Sequence, residues 1–228
     1  MATRFELRSP NPTTNIYLTL TATLNAMCDG ISYVVKNHKH SEELLKELSK
    51  NPGEEADYLE KDRAYRSEED VFEYYTDEER EKYFGVAPKT VYENLLNFTN
   101  AEKVEILKIN GVMDEKFIEG YKEAVLEKWT TELEHRVIPN YCNEIRGLKR
   151  VDGDDFVEYD LEKWSVINRL REKIMKDNFV RKSLFTQMRE SIRNKNYEEL
   201  SRLQVIVDEE MNKLRDLYME YRRNLMSY

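Results

Sequence analysis

The chain is poor in the residues that punctuate, staple or catalyse. Seven glycines and five prolines in 228 residues are too few for an all-β protein with many tight turns, and they leave no Gly-rich phosphate-binding loop. Only two cysteines are present, Cys28 and Cys142, far apart in sequence, so no disulfide framework is expected and a reducing compartment fits. Three histidines leave little material for general acid–base work, and the sequence has no Gly-x-Ser-x-Gly, His-Glu-x-x-His or Cys-x-x-Cys. No apolar run approaches the roughly 20 residues of a membrane span. The stretch Met1 to Glu6 has no apolar core, so no secretory leader is expected there.

What is present is charge and tyrosine. Charged residues make up 36% of the chain and the hydrophobic fraction is 40%, with 15 Tyr and 8 Phe. The charge is unevenly placed. Residues 41–100 carry 17 acids against 8 bases, and 101–160 carry 15 against 9. Residues 161–228 reverse the sign, with 11 acids and 15 bases. An acidic middle and a basic end allow contact with a second copy or with an anion.

The expected fold is mainly α: a helical bundle with a long C-terminal helix and a small N-terminal antiparallel β-meander. The expected organisation is a meander in 1–40, an acidic helical region in 41–147, a loop or hairpin in 148–160, and a basic helical region in 161–228. In the meander, Ile16, Leu18, Leu20, Ala22 and Leu24 alternate with Tyr and Thr, Asp29-Gly30 is a hairpin-type turn signal, and Ile31, Tyr33 and Val35 resume the alternation. The strands are expected at about 4–8, 15–26 and 31–37. A helix over 15–27 is the alternative, since Ala22 to Met27 is compatible with one. Helices are expected at 42–50, 68–84, 88–98, 101–109, 115–137, 161–177, 179–193 and 197–226, with Pro139 breaking or kinking the fifth. The last has the clearest face. Leu200, Leu203, Val207, Met211, Leu214, Tyr218, Tyr221 and Leu225 recur at a mean close to 3.6 residues, and Asn196 with Glu199 has capping-box spacing.

Two clusters have metal-ligand residue types without metal-ligand spacing. Cys28, His38 and His40 lack a partner pair for zinc. Asp152, Asp154, Asp155, Glu158 and Asp160 lack the order of a calcium loop. No metal, cofactor or catalytic residue is assigned. The constellation with chemical meaning is cationic: Arg169, Arg171, Lys173, Lys176, Arg181, Lys182, Arg189, Arg193 and Lys195, opposed within 169–195 only by Glu172, Asp177 and Glu190, with Phe179 and Phe185 interleaved. These nine are the candidate partner or nucleic-acid contacts. Three readings stay open: pairing with the acidic 41–100 region of the same or a neighbouring chain, facing nucleic acid, or a solvated face.

Phe5, Leu7, Pro10, Ile16-Tyr17-Leu18 and Tyr33 resemble the arm-type DNA-binding module of phage-type tyrosine recombinases, which implies a three-stranded sheet that reads DNA. The Gly-Lys-rich tip of that module is replaced here by Ala26-Met27-Cys28-Asp29, and the His-x-x-Arg and nucleophilic Tyr of the catalytic domain are missing. The overall layout resembles phage neck and head–tail adaptor proteins. That resemblance implies a non-enzymatic virion subunit, a homo-oligomeric ring around a DNA channel, partnered by portal and tail proteins and without membrane contact. The second expectation is a non-catalytic DNA-binding accessory protein using the meander and the basic cluster.

Overall fold

The computed structural model describes residues 14–56, 59–65, 70–151 and 157–226, with side chains through 223. Every regular element among them is a helix.

The first helix, α1 (Ile16–Lys36), replaces the two later strands of the expected meander. The first expected strand, 4–8, lies outside the described residues. Three local causes favour the helix. Asn15 caps it, its side chain accepting from the amides of Tyr17 and Leu18. The hydroxyls of Thr19, Thr21 and Thr23 turn back onto the carbonyls of Asn15, Tyr17 and Thr19, so residues with strand preference satisfy their polar groups inside the helix. The apolar residues Ile16, Leu20, Leu24, Met27, Ile31 and Val35 also recur at helical spacing, a pattern that the alternation over 16–24 masks. Gly30, expected in a turn, is an interior residue of this helix.

The chain divides into two compact units. The first comprises residues up to Ala87 together with Phe98–Ile118. It holds α1, α2 (Ser41–Leu48), α3 (Val71–Tyr74), α4 (Asp77–Phe84) and α6 (Ala101–Leu107). The helix expected over 68–84 is two helices. Thr76 restarts it, its hydroxyl accepting from the amide of Glu79 while the Glu79 carboxylate accepts from the amide of Thr76. The start expected for that helix, at 68, falls outside the described residues. Lys50 is buried, its ammonium donating to the carbonyls of Lys61 (2.7 Å) and Arg63 (3.1 Å), which ties α2 to the loop after it. Asn25 on α1 is 4% exposed and donates to the carbonyl of Leu107 at 2.8 Å, fixing α1 on α6.

The second unit comprises Pro88–Asn97 and Glu119–Tyr228. It holds α5 (Val91–Leu95), most of α7 (Glu115–Glu132), α8 (Ile138–Gly147), α9 (Glu158–Met175), α10 (Leu184–Arg193) and α11 (Tyr197–Met226). Pro139 does not end its helix. Residues Leu133–Val137 widen into a π turn and α8 continues from Ile138, with Pro139 in its first turn, where a missing N–H costs least. The expected α11 stripe is the spine of the core: Leu200, Leu203, Val207, Met211, Leu214 and Tyr221 are all buried. Ile138, Ile145, Ile167, Ile174, Phe185 and Met188 from α8, α9 and α10 complete it. Asn196 caps α11 by accepting from the amide of Glu199. No strand forms at 148–151, where Lys149 exchanges hydrogen bonds with the Tyr218 hydroxyl. Residues 152–156 of the expected loop or hairpin lie outside the described residues.

Candidate functional site

The nine cations singled out from sequence do not form one surface. Helical geometry sorts them, because residues of α9 two apart point about 200° apart around the axis. Arg169 and Lys173, four apart, share one face of α9. They line a groove of about 320 Å³ together with Arg181, from the segment joining α9 to α10, and Lys213 from α11. Val166 and Leu170 supply the apolar part of the groove and Glu172 its one acid.

Arg171 faces away from this groove. Its guanidinium lies over the Trp164 ring at 5.6 Å and donates to Asn168 at 3.1 Å. With Lys176 it lines a smaller hollow of about 100 Å³. Lys182 is spoken for by Glu190, at 2.6 Å. Arg189 is half-buried on α10, and Arg193 and Lys195 are exposed at its end. Within the main groove Lys173 pairs with Glu210 at 2.7 Å. Arg169, Arg181 and Lys213 form no ion pair or side-chain hydrogen bond among the described residues.

The segment carrying Arg181 is tightly turned. Asn178 Oδ1 accepts from the amides of Val180 and Arg181, and the Asn178 amide donates to the Arg181 carbonyl. Asp177 accepts from the Ser183 amide and the Thr186 hydroxyl, and these hydrogen bonds hold its carboxyl below the ordinary value. The backbone of Arg181 is thereby held beside the groove while Phe179 and Val180 stand fully in solvent. Sequence reading missed Lys213 and Glu210, because nothing in the local pattern connects them to residues about 40 positions earlier.

In the first unit the notable surface is on α1. Asn25 marks its packed side. Ile16, Leu20, Leu24, Met27, Ile31 and Val35 are between 54% and 64% exposed, a continuous apolar stripe along the helix. Cys28 is half-buried on α1, while His38 and His40 lie in the turn between α1 and α2. No group of three His, Cys, Asp or Glu side chains suited to a metal ion occurs among the described residues. No described helix is long and apolar enough to cross a membrane.

Residues 1–61 match the family model described as glutamine synthetase, catalytic domain. The match spans the segment that includes α1 and α2 and covers 61 of the 228 residues. No curated protein and no solved structure matches the chain. The match overturns the phage head–tail adaptor reading and its virion terms, along with the expectation of a protein that is not an enzyme, since it points to an enzyme family. The DNA-binding accessory reading goes with it, for the matched segment is the one that was to form the DNA-reading sheet. The likeness to the recombinase arm module fails for a structural reason as well. Ile16-Tyr17-Leu18 and Tyr33, which were to lie on separate strands, share the single helix α1.

Proposed function

We propose that this chain serves in enzymatic amide formation of the glutamine synthetase type, with residues 1–61 acting as part of a catalytic domain and the second unit as a helical appendage to it. The observation that carries the reading is the family match over 1–61. The surface of α1 supports it. A helix with an uncovered stripe of six aliphatic and thioether side chains leaves apolar area in water at about 25 cal/mol per Å². A larger catalytic core would remove that cost. The occupant of the stripe in this reading is further structure of a glutamine synthetase-type catalytic domain, because the stripe lies wholly within the matched segment.

The test is formation of glutamine from glutamate and ammonium with a nucleoside triphosphate, using the protein in the form in which its source produces it. The expected result is nucleotide-dependent glutamine formation that Leu24→Asp reduces at least tenfold while far-ultraviolet circular dichroism stays unchanged. Leu24 is 57% exposed, so the charge is tolerated by the isolated fold and harmful only where the stripe is covered. Glutamine formation no faster than without protein would refute the reading.

A further inference from the structure

The groove between α9, the 176–183 turn and α11 lies outside the family match and has no role in the reading above. We infer that it is a binding site for a small anion carrying two or more phosphate groups.

The inference starts from charge placement. Four cations from three separate elements, Arg169 and Lys173 of α9, Arg181 of the turn and Lys213 of α11, line one groove. Glu210 neutralises Lys173 and Glu172 offsets one more, leaving a surplus of two positive charges around a single concavity. Several cations of this unit sit beside acids, Lys163 with Glu220, Lys182 with Glu190, Arg202 with Glu199 and Arg215 with Glu144, and others such as Arg193 and Lys195 stand singly on the surface. The groove differs in drawing four cations from three elements around one concavity. Gathering unpaired like charges costs free energy that a bound anion returns, most strongly where low-dielectric walls focus the field. Here Val166 and Leu170 form that wall.

Chemistry and size narrow the class. Two guanidinium groups present planar donor forks that match the oxygens of phosphate, and the lysine ammonium groups add compact point charges. A volume of about 320 Å³ suits a small molecule. The turn that carries Arg181 is held by the Asn178 and Asp177 hydrogen bonds, so less ordering cost falls on binding.

The experiment is isothermal titration calorimetry of the full chain with inorganic tripolyphosphate, with citrate as a carboxylate polyanion of comparable charge. The expected result is saturable binding of tripolyphosphate, weakening with added salt, and at least tenfold tighter than citrate. Arg169→Ser with Lys213→Ser should weaken tripolyphosphate at least tenfold. Arg193→Ser with Lys195→Ser, exposed cations outside the groove, should leave it within about twofold, roughly 0.4 kcal/mol. Arg169, Arg193, Lys195 and Lys213 are all exposed, so both pairs of changes leave the core alone, as unchanged tryptophan emission would verify. Absence of saturable heat overturns the inference. So does equal weakening by the two double variants, which would mean diffuse charge attraction, and so does citrate binding as tightly as tripolyphosphate. None of these outcomes bears on glutamine formation, so this inference and the preceding reading fail separately.

Discussion

Phe179 and Phe185 are six residues apart in one basic stretch, and the fold gives them opposite fates. Phe185 is 1% exposed in the core of the second unit, and Phe179 stands fully in solvent on the turn before α10. Phe185→Ala removes a buried ring and leaves a cavity in the core of the second unit, a change that costs about 3–5 kcal/mol. A domain of this size has about 5–15 kcal/mol in all, so about a fifth or more of its stability goes. With a urea slope of about 2 kcal/mol/M, the unfolding midpoint falls by about 1.5–2.5 M. Phe179→Ala should stay within about 0.5 kcal/mol of wild type. The assay is built into the chain. Both tryptophans, Trp129 and Trp164, belong to the second unit, so their emission in a urea titration reports that unit alone. Trp129 is buried and Trp164 packs against Tyr221 at 5.4 Å, so unfolding will change both environments. A Phe185→Ala midpoint within about 0.5 M of wild type would refute the packing described here, and so would an equal shift for Phe179→Ala.

Other consequences follow from single contacts. Tyr221→Phe keeps the buried ring but removes the hydroxyl that accepts from the Val151 amide at 3.3 Å; the expected loss is about 1 kcal/mol in the same titration. Arg215 grips Glu144 through two nitrogens, at 2.6 and 2.8 Å, and this holds the Glu144 carboxyl below its ordinary value of 4.5. A carboxyl whose pKa is lowered on folding stabilises above its unfolded value and loses that contribution as pH falls through the folded one. Glu144→Gln should therefore cost about 1 kcal/mol or less at neutral pH, the pair being partly exposed, and the two proteins should converge in stability as pH drops below about 4.5. Asn25→Ala deprives the Leu107 carbonyl of its side-chain donor, and amide exchange across α6, followed by mass spectrometry, should quicken by about fivefold, the equivalent of about 1 kcal/mol.

The long helix α11 was legible because one stripe repeats over eight positions and an Asn cap precedes it, so local propensity and tertiary burial agree. The helix α6 was legible from Asn100, whose side chain accepts from the Lys103 amide, whereas α2 begins at Ser41 itself, with His40 at the N-cap, one residue before its expected start. The N-terminal segment misled because Ile16 to Leu24 satisfies a period of two and a period near 3.6 at once, and its threonines favour strands when counted by propensity alone. What tipped it was the Asn15 cap and the hydroxyl-to-carbonyl bonds, which exist only once the helix has formed.

By itself, then, the sequence determined the helical character of most of the chain and the buried face of its last helix, since both follow from short-range spacing and capping chemistry. It also held the cations that matter, but not their grouping. Tertiary structure alone decided that Arg169, Lys173 and Arg181 face one groove while Arg171 stacks on Trp164 and Lys182 pairs with Glu190. It decided as well that Lys213 joins them from α11. The physical reason is that the rotation of a helix sets which of its side chains share a face, while only the packing of one helix on another sets which faces meet.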